Sequence, residues 1–224
     1  MTSDTVSASA PDEFIRSQTR VLPAQFVPEV RMHTADEVFE LWDRTDRRAA
    51  SGEVQPPPFW ARPWAGGQAL ARYVLDHPQA VAGRSVLDLA SGSGLVAIAA
   101  LLAGAAEVTV SEIDPLAQAA IRLNAEANGV GLGPSLGDVL DADPLPDAEV
   151  LLVGDAFYER PLADRVLAFA RRMRSAGTDV LVGDPGRAYL PRTDLTEVAV
   201  YDVPVSRELE NTDVRRTTVW RLPT

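Results

Sequence analysis

Val86-Leu87-Asp88-Leu89-Ala90-Ser91-Gly92-Ser93-Gly94 decides the fold. It reads as a buried strand ending in a turn of small residues, with an acid, Asp88, in the strand just ahead of the glycines. An apolar, Ala-rich helix follows at once, over Leu95 to Leu102. A strand that turns tightly into a helix offers backbone N–H groups and a positive helix end to a nucleotide-like ligand.

Outward from that stretch the pattern alternates. Strands are predicted at 84–90, 106–112, 134–138, 148–154 and 178–183, and helices at 93–103, 115–128 and 160–175. Asp114-Pro115 is a cap followed by a proline, a helix entry. Two Val/Thr/Tyr-rich stretches, 195–203 and 214–221, read as a closing hairpin. The alternation predicts an α/β fold, a doubly wound, mostly parallel seven-stranded sheet with helices on both faces and a C-terminal antiparallel hairpin. Ligands of such sheets bind at the carboxyl ends of the strands.

Upstream, 34–49 reads as an amphipathic helix with Val38, Leu41 and Trp42 on one face. Gly52 to Pro58 is a Pro-rich break. Phe59-Trp60-Ala61-Arg62-Pro63-Trp64-Ala65-Gly66-Gly67-Gln68 then leads into a helix ending near Asp76. The expected plan is a disordered tail over 1–12, a helical N-terminal extension covering the site over 13–80, and a ligand-binding domain over 81–224.

Composition narrows the chemistry. The 224 residues suffice for one sizeable α/β domain with an extension. There is no cysteine, so no disulfide, thiolate nucleophile or Cys-based metal site. His33 and His77 are far apart in sequence, and no metal is expected. All 21 basic residues are Arg, which excludes a catalytic lysine. The net charge of −11 argues against a nucleic-acid partner and suits a basic protein segment or a cationic small molecule. No apolar run approaches the roughly 18 residues of a membrane span, and the expected location is cytoplasmic. Oligomeric state stays open.

Two cofactors compete for the glycine loop. Gly92-Ser93-Gly94-Leu95-Val96-Ala97 satisfies the dinucleotide pattern, which leaves a nicotinamide-dependent oxidoreductase in play. Asp88-x-Ala90-x-Gly92-x-Gly94 is also the acid-small-Gly-Gly loop of S-adenosylmethionine enzymes. Asp88 favours the second reading: it lies within the strand, where it can hold the ammonium of the cofactor's amino-acid end. Asp138 ends the third predicted strand and can accept from an adenine amino group. Glu112, at the end of the second, can bind the ribose hydroxyls of either cofactor. The competing reading for each acid is a helix cap or a solvated turn, but three at successive strand ends argue for a ligand.

Val150-Leu151-Leu152-Val153-Gly154-Asp155-Ala156-Phe157-Tyr158-Glu159 carries the second signal, an apolar strand ending in an acid and two aromatics. In this topology the point faces a transferable methyl group. Methyl transfer from a sulfonium needs an unprotonated nucleophile lined up in a dry pocket. The plainer reading makes Phe157 and Tyr158 core aromatics and Asp155 the cap of the helix starting near Pro161.

With these residues the chain resembles the seven-strand class I methyltransferases. More narrowly, it resembles the protein lysine methyltransferases with an Asp-x-x-Tyr motif after strand four, here Asp155-Ala156-Phe157-Tyr158. Within them it is similar to the electron transfer flavoprotein β-subunit lysine methyltransferases and their bacterial relatives. The likeness rests on Pro58-Phe59-Trp60, Trp64-Ala65-Gly66-Gly67-Gln68, Tyr73-Val74-Leu75-Asp76, Ser85-Val86-Leu87-Asp88-Leu89, Asp114-Pro115, Gly154-Asp155-Ala156-Phe157-Tyr158 and Gly183-Asp184-Pro185-Gly186-Arg187, and spans roughly 56–190. It implies an S-adenosylmethionine-dependent N-methyltransferase acting on lysine side chains of a protein, with a small-amine methyltransferase as the alternative and a non-catalytic binding module further off.

The expected cofactor set is Trp64, Gly67, Asp88, Ala90, Gly92, Gly94, Glu112, Ile113, Asp138, Val139 and Asp155. Asp155 and Tyr158 are the expected catalytic pair. Trp60, Phe157, Tyr158, Asp184 and Arg187 are expected on the substrate side. Arg187 either orients an acidic partner surface or pairs with Asp184, and Trp60 and Trp64 could instead seal the extension onto the domain. Ala90 stands where the first loop glycine is usual, which is comfortable only if its φ is negative. Glu112 replaces the commoner Asp.

Overall fold

A computed structural model describes residues 10–48 and 57–223. It opens with α1 (Ala10–Gln18), β1 (Arg20–Pro23), β2 (Arg31–Thr34) and α2 (Val38–Arg48). The alternating part runs α3 (Ala65–Asp76), β3 (Ser85–Leu89), α4 (Leu95–Leu102), β4 (Glu107–Ser111), α5 (Pro115–Asn128), β5 (Val150–Gly154), α6 (Arg160–Ser175) and β6 (Asp179–Asp184). It closes with β7 (Thr196–Pro204), α7 (Arg207–Glu210) and β8 (Val214–Arg221).

Among the described residues the main sheet is mixed, six strands in the order β4-β3-β5-β6-β8-β7. The first four are parallel, β8 joins β6 antiparallel, and β7 and β8 form the closing hairpin. Side chains alternate across it. Val86, Val150, Leu152 and Leu181 share one core with α3 and α4, through Leu70, Val74 and Ile98. Leu87, Leu89, Leu151, Val153, Val180 and Val182 face the other way, onto Val166, Phe169 and Met173 of α6. Burial on both faces explains why these strands read as continuous apolar runs. A third cluster seats Ile15, Leu41 and Trp60 against Ala117, Ala120 and Leu123 of α5, fastening the N-terminal segment to the domain.

Three expectations change. The segment 134–138 is not a ladder strand. It runs beside β4 with one parallel bridge, Ser135 to Val110, while Gly133 and Leu136 N–H groups donate to the Val108 and Val110 carbonyls. Pro134 has no N–H to give, and Gly137 turns the chain at φ +65°. The N-terminal part is not purely helical, because β1 and β2 form an antiparallel hairpin. Residues 10–12, expected in the tail, open α1; residues 1–9 and most of the Pro-rich break, 52–56, lie outside the described residues. Among the described residues no helix is long and apolar enough to cross a membrane.

Candidate active site

A cavity of about 400 Å³ opens at the carboxyl ends of β3, β4 and β5, within the size range of small-molecule and cofactor sites. The 90–94 loop forms its floor. Ala90, Gly92 and Gly94 all adopt left-handed backbone, at φ +52°, +55° and +79°. The negative φ that would make alanine comfortable at position 90 is therefore not met. A non-glycine residue there costs about 1–2 kcal/mol, strain of the sort that collects at ligand loops. Buried Asn124 of α5 braces the loop: its side-chain amide donates to the Ser93 carbonyl at 2.8 Å, and its oxygen accepts from the His33 N–H at 2.7 Å.

Asp88 is fully enclosed and lines this cavity. Its Oδ2 accepts from the Ser91 hydroxyl and, at 3.2 Å, from the Ala97 N–H in the first turn of α4. The carboxylate thus caps that helix from inside a strand. Burial pushes its pKa up to about 7, against the pull of those two hydrogen bonds. Glu112 accepts the Gly92 N–H at 2.8 Å on one oxygen and the Ile113 and Asp114 N–H groups on the other, at 2.7 and 2.9 Å. Its carboxyl is also pushed up by burial. Ile113 lines the cavity and is 70% exposed. Asp138 accepts from the Leu140 N–H and from Arg165, both at 3.0 Å, and these partners hold its carboxyl below the usual range.

The far wall is built on Asp155, itself left-handed at φ +53°. Its Oδ2 accepts the Gly67 N–H at 2.9 Å, and its Oδ1 accepts from Arg187 Nη2 at 2.9 Å and Nε at 3.2 Å. Burial pushes this carboxyl up; the Arg187 charge and the Gly67 amide pull it back. No side chain of its own caps α3, so Asp155 serves as that cap. The approach is close because Gly66 has no side chain: a Cβ there would lie 2.2 Å from the Gly183 carbonyl oxygen and 2.6 Å from Asp155 Oδ2.

Aromatic rings frame the mouth. Trp64 Nε1 donates to the Phe59 carbonyl at 2.8 Å, and the Arg187 guanidinium lies 5.7 Å from the Trp64 ring. Phe59 meets Trp64 edge-on at 5.6 Å and Tyr158 at 5.7 Å. Phe59 and Tyr158 are each 40% exposed. Burial, with Glu159 and Glu112 nearby, raises the Tyr158 hydroxyl, which stays protonated at neutral pH.

One cavity therefore gathers Trp60, Trp64, Gly67, Asp88, Ala90, Gly92, Glu112, Ile113, Asp138, Asp155, Tyr158 and Arg187. Other expected residues fall elsewhere. Val139 is buried in the α6-side core, and Leu140 lines the cavity in its place. Phe157 is 2% exposed in the same core, as the plainer reading of that aromatic had it. Gly94 lies behind the loop, close to Ile121. Asp184 is buried and accepts the Gly186 and Arg187 N–H groups at 2.6 and 2.7 Å, shaping the turn that presents Arg187. Burial raises its pKa to about 6. Arg187 pairs with Asp155 and Glu210, not with the Asp184 side chain. Sequence reasoning missed Asn124 and Glu210, buried polar residues far along the chain from the loops they brace. It also missed Phe59, although the Pro58-Phe59-Trp60 motif contained it.

The acids at the ends of β3 and β4 and at the 138 turn all reach one enclosure floored by a left-handed loop. Those three acceptors fit a cofactor with an ammonium, a ribose and an adenine, and S-adenosylmethionine has all three. Residues 69–143 match the model of the ribosomal protein L11 methyltransferase (PrmA) family. The Xenopus laevis electron transfer flavoprotein beta subunit lysine methyltransferase is 37% identical over 219 residues, 96% of this chain and 87% of that protein. Its Mus musculus counterpart is 39% identical over 80% of this chain and 70% of that protein. Among solved structures, a Pyrococcus horikoshii protein provisionally described as an RNA methyltransferase superposes with a TM-score of 0.55 at 17% identity, covering 82% of this chain and 92% of that one. This last likeness speaks to the fold alone. The nicotinamide reading of the glycine loop falls away, and the cofactor is S-adenosylmethionine. The chain belongs to the electron transfer flavoprotein beta subunit lysine methyltransferase family.

Proposed function

We propose that this methyltransferase modifies lysine side chains on the β subunit of an electron transfer flavoprotein. The observation that carries the reading is the mouth of the cavity, where Phe59 and Tyr158 stand half-exposed against the wall made by Trp64 and Asp155. An open aromatic mouth suits a long side chain entering from a macromolecule. We read the sheet as the doubly wound seven-strand methyltransferase fold, with the 130–138 segment beside β4 in the place of the seventh strand.

On this reading Asp88 receives the cofactor's ammonium, Glu112 the ribose hydroxyls and Asp138 the adenine amino group, with Ile113 against the adenine face. Bound S-adenosylmethionine supplies an electrophilic methyl on a sulfonium. The chain's own task is to present a neutral amine to it. For an unperturbed lysine with pKa ~10.4, deprotonation at pH 7 costs about 4.6 kcal/mol. Walls of Trp64, Phe59 and Tyr158 strip water from the ammonium and lower that cost. Asp155, already committed to Gly67 and Arg187, acts by shaping the wall and not as a free base.

The test supplies methyl-labelled S-adenosylmethionine together with purified electron transfer flavoprotein, and in parallel with free lysine and small amines. Label on lysines of the β subunit is the expected result. Label confined to the small amines overturns the reading.

A further inference from the structure

Glu210 lies in α7, in the connection between the two strands of the terminal hairpin and beyond the 56–190 span that carries the sequence likeness. Its side chain is only 4% exposed. One oxygen accepts from Arg187 Nη2 at 2.9 Å; the other accepts from Arg187 Nη1 at 3.4 Å and Arg215 Nε at 3.1 Å. The same Arg187 Nη2 is shared with Asp155 Oδ1, also at 2.9 Å. Asp155, Arg187, Glu210 and Arg215 thus form a chain of alternating charges running inward from the hairpin to the cavity wall. Its inner end divides. Asp155 holds the Gly67 N–H, and the Arg187 guanidinium lies over the Trp64 ring.

Such a chain is a costly way to fill a core, since charges lose hydration and apolar residues of the same volume often do as well or better. What it supplies is a fixed direction. A guanidinium presents its donors as a rigid planar fork, so carboxylates on opposite sides set its plane as well as its place. Asp155 alone meets Arg187 through one oxygen, Oδ1, which takes the Nε–Nη2 edge of the fork and leaves its plane free to tilt about that edge. With Glu210 on the other side, the plane over Trp64 is determined.

We propose that Glu210 is a positioning residue for methyl transfer, acting through Arg187 to hold Trp64 and the first turn of α3 at the wall of the acceptor channel. The location of that channel rests on the reading given under Proposed function.

The test uses the full chain with Glu210→Gln and Glu210→Asp, alongside Arg187→Ala and the Glu210→Gln/Arg187→Ala double variant. In hydrogen exchange read by mass spectrometry, peptides over 64–70 in Glu210→Gln should exchange at least tenfold faster, while β3 peptides keep their rate. This readout needs no acceptor. In turnover assays Glu210→Gln should lose at least tenfold in kcat/KM for the acceptor with less than threefold change in cofactor Kd. Glu210→Asp should recover most of the loss, and the double variant should be no slower than Arg187→Ala. Unchanged exchange at 64–70 overturns the proposal, as does a double variant whose losses multiply. Should Glu210→Gln fail to fold, Arg187→Ala carries the exchange test, with the same acceleration over 64–70 expected and unchanged exchange there again overturning the proposal. A wild-type enzyme that labels no flavoprotein lysine defeats the substrate reading instead, and the exchange result stands apart from it.

Discussion

The backbone N–H of Gly67 donates to Asp155 Oδ2 at 2.9 Å, so a carboxylate at the end of β5 caps a helix made 88 residues earlier in the chain. The same carboxylate takes two donors from Arg187. Asp155→Ala leaves α3 uncapped and Arg187 short of one counter-charge in a mostly buried place. Loss of one partner of such a pair costs about 3 kcal/mol, and a shifted wall costs on the order of 100-fold in rate. Denaturant melts and initial rates check both figures. Asp155→Asn keeps the shape and an acceptor for Gly67, so it should fold better than Asp155→Ala and still turn over slowly. Wild-type turnover in Asp155→Asn would remove the carboxylate's charge from the account.

Gly66 is required by contact, not by backbone freedom. A methyl group there would sit 2.2 Å from the Gly183 carbonyl oxygen, where neither α3 nor β6 can yield without moving the cavity wall. Overpacking of this kind in Gly66→Ala should cost about 3 kcal/mol, lowering the Tm by about 6–12 °C for a chain of this size. Gly131→Ala is the matched control. Its Cβ would meet nothing within 4 Å, and the change should stay within about 0.5 kcal/mol. Equal melting of the two variants would refute the close-contact argument.

The parallel strands and their helices were legible because each strand is buried on both faces and each helix begins with its own punctuation. Pro115 begins α5 where the Asp114-Pro115 signal put it, and the helix ends at Asn128, before left-handed Gly129. The 134–138 segment misled because Leu136, with Val139 just beyond it, suggests a strand while Pro134 withholds a donor. At the site, Asp88 and Glu112 were visible as acids at strand ends. Phe157 and Tyr158 were not separable in the sequence: both lie in the irregular turn after β5, where no periodicity says which side each faces, and only Tyr158 reaches the cavity. Glu210 carried no signal, since its partner Arg187 meets it only after the hairpin folds back.

Ala90 holds a left-handed backbone at φ +52° that glycine adopts freely. Relief of about 1–2 kcal/mol of strain is offset by about 0.5–1 kcal/mol of added chain entropy in the unfolded state. Ala90→Gly should therefore raise stability slightly, by about 0.5–1 kcal/mol by the difference of those figures, with cofactor affinity little changed. Ala90→Val adds a branched Cβ to the same strained geometry and should lower stability. Thermal melts of the pair decide it: destabilisation by glycine would mean that the alanine methyl makes packing contacts worth more than the strain.

Asp88 links the cofactor to pH. Its carboxyl is pushed up to about 7 by burial in the free enzyme, against ~3.9 for an aspartate in an unfolded chain. The folded state then holds a proton that the unfolded state has lost, so the Asp88 contribution is neutral below about pH 4, disfavours folding progressively from pH 4 to 7, and is constant above. An ammonium placed beside the carboxylate reverses the preference and pulls the pKa back down. Cofactor binding should accordingly expel a proton at pH 6, and affinity should rise by up to about tenfold per unit between pH 5 and 7, levelling above about 7. Asp184, raised to about 6, bends the stability curve over a similar range. It stands outside the cavity lining, so calorimetry of cofactor binding in buffers of different ionisation enthalpy isolates the Asp88 proton. Asp88→Asn should bind weakly and lose the slope. An equal slope in Asp88→Asn would assign the proton to another group, with Glu112, the other raised acid of the cavity, the next to substitute.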